Sequence, residues 1–179
     1  MFTKADIEKY FVAEKNESLL FLVLGILAIS LSIIFYSYLK SAFFKGAAIP
    51  LLVIGLIQAI VGYTVYSRSD QQRISIVYAY DMDPARLKNE ELPRMKKVNE
   101  RFVFYRWTEI IFFLTGLVMM IIFRNNPEKR FYFGFAITLA LQAAIMFCAD
   151  YFAENRASTY TKQLTSFTAE VYLRNLNPG

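Results

Sequence analysis

Histidine is absent from this 179-residue chain and cysteine occurs once. Zinc, haem and most transition-metal sites draw on those two residue types, so no such centre is expected. Ser–His–Asp triads and Cys–His dyads fail for want of the base. The single cysteine, Cys148, has no partner for an internal disulfide. It falls inside an apolar run, where it reads as a small packed hydrophobe. Glycine is missing between Gly62 and Gly116, so the central segment has no glycine-rich loop to cradle a phosphate. No cofactor is expected.

Charge is missing too, from four stretches: residues 18–39, 46–67, 110–123 and 131–149. A helix crossing a bilayer needs about 20 apolar residues, and three of the four runs are long enough. The composition, 56% hydrophobic and 17% aromatic, agrees with a chain solvated largely by lipid. The expected fold is all-α and polytopic. Four transmembrane helices span 18–39, 46–67, 102–124 and 131–153, a helical segment covers 68–101, and a C-terminal helix covers 154–176. The N-terminus does not read as a cleavable signal, because its apolar run begins only at Ser18 after a mixed-charge segment.

Basic residues set the expected orientation. With four crossings, fifteen Lys and Arg share one side with both termini and five lie on the other. That bias puts the termini in the cytoplasm of a cell membrane, most simply a bacterial inner membrane. Acidic residues are interleaved with the basic ones, so nucleic acid is not an expected partner.

Local signals punctuate the charged segments. Thr3 to Asp6 forms a capping box with Asp in place of Glu, and Ile7, Tyr10 and Phe11 follow on one face. That face suits either the membrane surface or the protein itself. Asp83-Pro84 reads as an N-cap and first helical residue. Pro93 opens another helix, with Glu90 and Arg94 in the supporting i,i+4 order. Ala153, Ala157, Tyr160, Leu164, Phe167 and Val171 make a short coiled-coil-like seam, expected to pack within the chain. Small residues mark close approaches: Gly55, Ala59 and Gly62 in one helix, and Ala136, Ala140 and Ala144 in another.

The two halves resemble each other as a 2+2 hairpin duplication would, although apolar segments also align without common origin. Gly25 matches Gly116, Gly46 matches Gly134, and Gln58 matches Gln142. Parallel repeats of this kind are related by an axis along the membrane normal. The two glutamines are then mid-membrane amides that bond across helices.

The third run supplies the candidate site. Its fourteen residues cover about 21 Å, against a hydrocarbon core of about 30 Å. Borrowing from its start draws Glu109 and Arg106 to hydrocarbon depth, beside Asp150 of the fourth helix. Intramembrane ionisable groups face the interior and find partners, and the expected pair is Arg106–Glu109. The candidate polar cluster is therefore Arg106, Glu109, Asp150, Gln58 and Gln142. Its functional version is an ion- or proton-handling site.

No catalytic constellation stands out. The leading expectation is a small non-enzymatic membrane protein, a scaffold or protein-binding partner of the immunity or anchoring type. The alternative is a homo-oligomeric ion channel or small transporter using the acidic cluster. A lipid-directed enzyme based on Glu109 and Asp150 ranks third. Expected partners are the lipid bilayer, a second copy of the chain, or a membrane or cytoplasmic protein.

Overall fold

The computed structural model describes residues 2–176, with side chains as far as Leu173. Four long helices carry the fold: α1 (Lys4–Ile34), α2 (Ala42–Met82), α4 (Leu92–Phe123) and α5 (Arg130–Leu176), with the single turn α3 (Pro84–Arg86) between α2 and α4. Each long helix contains a stretch apolar enough to cross a membrane. The charged flanks are continuations of the same helices, so α2 and α5 reach 41 and 47 residues.

The starts and stops follow local chemistry. Thr3 Oγ1 accepts from the Asp6 N–H at 3.4 Å, while Asp6 Oδ2 accepts the Thr3 N–H at 2.8 Å. This is the expected capping box. A π-helical turn, Phe35–Leu39, ends α1, and Lys40 adopts a left-handed conformation with φ 50°. Ser41 then caps α2 by accepting from the Phe44 N–H. Asp83 caps the next turn through the Arg86 N–H, with Pro84 at the first helical position. Asn126 and Pro127 punctuate the second hairpin, where Asn126 Oδ1 accepts from the Glu128 N–H.

α1 and α2 form one antiparallel hairpin and α4 and α5 a second; α2 lies parallel to α5 at the centre, with α1 and α4 on the flanks. The hairpins join tightly near their turns. A Cβ on Gly46 would collide with the Phe131 carbonyl, and a Cβ on Gly134 would collide with that of Phe43. The two contacts are reciprocal. Pro50 has no N–H to give the Gly46 carbonyl. Beside it, Ser32 Oγ donates to the Ala48 carbonyl at 2.7 Å and Thr138 Oγ1 to that of Ala47 at 3.0 Å. Hydroxyls of this kind re-satisfy and cross-link helices where water is scarce.

The small-residue stripes pack inside their own hairpins. Gly55 and Ala59 sit against Gly25, and Gly62 against Ser18 and Leu22. Ala136 and Ala140 sit against Gly116. Large apolar side chains point the other way: Leu20, Ile26, Leu27, Ile57, Ile60 and Ile121 are exposed. Cys148 is also exposed. The expectation that it packs inside is corrected, because its face of α5 looks outward.

At the end bearing the termini, all four helices converge on a large-residue core. Ile7, Phe11, Ala79, Leu87, Met95, Ala157, Tyr160 and Leu164 are essentially closed to solvent. Tyr10 stacks on Tyr160 at 4.3 Å between centroids, and Tyr80 on Phe167 at 5.0 Å. The expected seam on α5 thus packs within the chain. The N-terminal segment does the same, as the first layer of this core rather than a separate surface helix.

Candidate functional site

A belt of polar side chains begins inside that core and extends toward the apolar runs. Glu91, almost wholly buried, takes a bidentate bond from Arg94 at 2.7 Å to each oxygen and a third from the Tyr160 hydroxyl at 3.3 Å. The expected Glu90–Arg94 pair does not form. The π-helical turn Leu87–Glu91 changes the angular spacing before Pro93, so Arg94 meets Glu91 while Glu90 takes Arg86 at 2.8 Å. Deleting one partner of a buried pair costs about 3–5 kcal/mol, since the other charge is stranded.

The belt continues between helices. Arg156 of α5 holds Glu17 of α1 through both nitrogens of its fork, Lys15 of α1 meets Asp70 of α2, and Asn99 of α4 donates to Thr161 of α5 at 2.8 Å. Glu14 receives only the Tyr10 hydroxyl, at 3.4 Å, and its second oxygen is buried without a donor. Burial pushes the Glu14 carboxyl above the ordinary carboxylate range, against the lowering pull of Arg94, Arg68 and Arg156. Burial likewise raises the hydroxyls of Tyr10 and Tyr160, with Glu14 adding to the first and Glu91 to the second. Both remain protonated donors.

The five residues singled out by sequence divide into two groups. Glu109 and Asp150 come together across α4 and α5, each the other's immediate carboxyl neighbour. Glu109 is only 4% exposed, and neither of its oxygens has a hydrogen-bond donor. The expected Arg106–Glu109 pair is corrected: Arg106 crosses to Glu154 of α5, with Nη1 at 2.8 and 3.0 Å from its two oxygens. Residues three apart on a helix are neighbours, but the partner helix offers Arg106 a carboxylate nearer the polar belt.

The two glutamines are buried as expected, at 2% and 5% exposure. Gln58 Oε1 has no donor. They are not level counterparts, however. The reciprocal Gly46–Phe131 and Gly134–Phe43 contacts equate Gly46 with Gly134. In that register Gln58 lies one helical turn nearer the terminal end than Gln142.

Sequence reasoning missed the Glu14–Glu17–Arg156 part of the belt. Its signal was available in the acidic spacing after Tyr10, but only the docking of α1 on α5 gives those charges a common interior. Among the described residues no cluster of three or more metal-ligating acids or cysteines is present. Buried acceptors without a donor include Glu14 Oε2 in the belt and, deeper, both oxygens of Glu109 and Oε1 of Gln58. No protein-family model, curated protein or solved structure matches the chain.

Proposed function

We propose that this is a four-span integral membrane protein with both termini in the cytoplasm of a bacterial inner membrane, acting as a non-enzymatic scaffold or partner for another protein. The membrane part rests on an inverted surface. Glycine, alanine, serine and glutamine fill the interior of the apolar region while isoleucine and leucine face outward. So much contiguous apolar surface is unstable in water and normal in lipid. The basic-residue bias supports the orientation, and the reciprocal glycine contacts support a 2+2 duplication.

The partner role is carried by one stripe on α2. Ile74, Tyr78 and Met82, spaced by four and 65%, 63% and 69% exposed, lie beyond the uncharged run, at the end of the bundle where Tyr172 and Leu173 of α5 are also exposed. Apolar residues repeated on one helical face outside the bilayer make a binding edge. A photo-reactive residue placed at Tyr78 in native membranes tests this. A discrete crosslinked protein of constant mass supports the role, and adducts only to lipid reject it.

A second reading, a homo-oligomeric channel or small transporter, is favoured by the unpartnered Glu109 carboxyl. Proteoliposomes that carry no ion current and take up no ions would dismiss it.

A further inference from the structure

We propose that Glu109 and Asp150 together form a binding site for a single proton, held between their carboxyl oxygens within the α4–α5 interface. The inference rests on the membrane-spanning reading and is independent of the choice between scaffold and transporter.

Charge bookkeeping leads there. Glu109 is buried on α4 and both of its oxygens lack a donor. The Arg106–Glu154 contact sets the antiparallel α4 and α5 in a register that brings Asp150, one turn before Glu154, level with Glu109, one turn after Arg106. Two ionised carboxylates are acceptors only and have no bond to offer one another. Asp150 faces two further acids, Glu17 of α1 and Glu154 on its own helix. Both are already neutralised, Glu17 by Arg156 and Glu154 by Arg106. The two arginines that flank the pair are therefore engaged elsewhere. An uncompensated carboxylate in an apolar interior is among the most costly groups a protein holds. One proton removes a charge and turns two acceptors into a donor and an acceptor, the arrangement adopted by carboxyl dyads that share a site. Glutamate at this position is otherwise unexplained, since Gly116, two turns along the same face, packs on alanines.

The test uses the full chain in membrane vesicles at pH 7 with dicyclohexylcarbodiimide, a lipid-soluble reagent for protonated carboxyls. The acid gives its proton to a carbodiimide nitrogen and its oxygen adds to the central carbon. Acyl transfer to nitrogen then leaves a stable N-acylurea with no atom lost. The expected product is one adduct per chain, mapped by peptide mass spectrometry to Glu109 or Asp150. A water-soluble carbodiimide should leave both residues unmodified.

Asp150→Asn supplies Glu109 with an amide donor and should reduce labelling at Glu109 at least tenfold. Equal labelling of that variant would overturn sharing. Infrared spectroscopy of the unmutated chain gives an independent readout: a carboxylic-acid carbonyl band at pH 7 that disappears in Glu109→Gln. Absence of both adduct and band overturns the proposal, whether or not the variants fold. Alkaline carbonate extraction of the same vesicles separates the two failures. Protein released to the supernatant refutes the membrane reading, whereas unlabelled protein retained in the pellet refutes the proton site alone.

Discussion

Arg106 passes over Glu109 on its own helix and closes on Glu154 of α5, 2.8 and 3.0 Å from its two oxygens. The guanidinium is 41% exposed, so solvent screens the pair. A double-mutant cycle of Arg106→Gln with Glu154→Gln should give a coupling of about 0.5–1 kcal/mol in detergent unfolding. The cycle of Arg106→Gln with Glu109→Gln should be additive within about 0.5 kcal/mol. Coupling in the second cycle and none in the first would restore the pairing that sequence spacing suggests.

Gly46 and Gly134 make the second prediction. Each faces a backbone carbonyl of the opposite hairpin, Phe131 and Phe43 respectively. A backbone cannot rotate away as a side chain does, so even alanine forces the hairpins apart. Gly46→Ala and Gly134→Ala should each destabilise by about 1–3 kcal/mol, and by similar amounts because the contacts are reciprocal. Thermal unfolding monitored by the single Trp107, or by helicity, measures this.

Much of the architecture is legible before any coordinates. Uncharged runs locate the four long helices apolar enough to cross a membrane, and Thr3–Asp6 and Asp83-Pro84 fix helix starts, because these signals are local. Three outcomes depend on tertiary register and are therefore not local. Ile7, Tyr10 and Phe11 form an apolar face that lipid and protein accept equally; the presence of Tyr160 opposite them decides. Arg106 has carboxylates both three residues away and across the interface, and its choice depends on how far α4 slides along α5. The glycine and alanine stripes announce close packing without naming the partner helix. Glu109 is the intermediate case. The shortness of its apolar run predicted its burial, while the company it keeps required the fold.

Phe11 carries the third prediction. It is closed to solvent, edge-on to Tyr10 and Tyr160, and covered by Arg94 at 5.6 Å. Phe11→Ala should cost about 3–5 kcal/mol. The loss should be confined to the terminal-end bundle, where amide exchange in residues 4–15 accelerates while the apolar stretches of α2 and α5 stay protected.

Glu14 makes the stability of that bundle depend on pH. Its carboxyl is raised by burial above the ordinary carboxylate range, against the pull of Arg94, Arg68 and Arg156 and with Glu91 adding to the rise. The folded state therefore binds a proton more tightly than the unfolded state. Its stabilising contribution is complete below the unfolded value and is lost as pH climbs through the higher folded one. Glu14→Gln should remove that slope, so the variant gains on the parent as pH rises from the acid side toward neutrality. Unfolding midpoints across that range give the sign directly.

Cys148 tests the surroundings of the apolar surface and the orientation together. It is exposed on α5 within the uncharged run. In water such a thiol reacts freely, but in lipid it meets no charged reagent and forms no thiolate. A membrane-impermeant maleimide should leave Cys148 unmodified in sealed or opened vesicles and label it fully after denaturation in dodecyl sulfate. In a Cys148→Ala background, Tyr78→Cys places a thiol on the exposed stripe beyond the run. It should react in inside-out vesicles and be protected in right-side-out ones. Labelling of Cys148 in intact membranes would mean that water, not hydrocarbon, reaches this face of α5. Labelling of the position-78 thiol only in right-side-out vesicles would invert the topology while leaving the four spans intact.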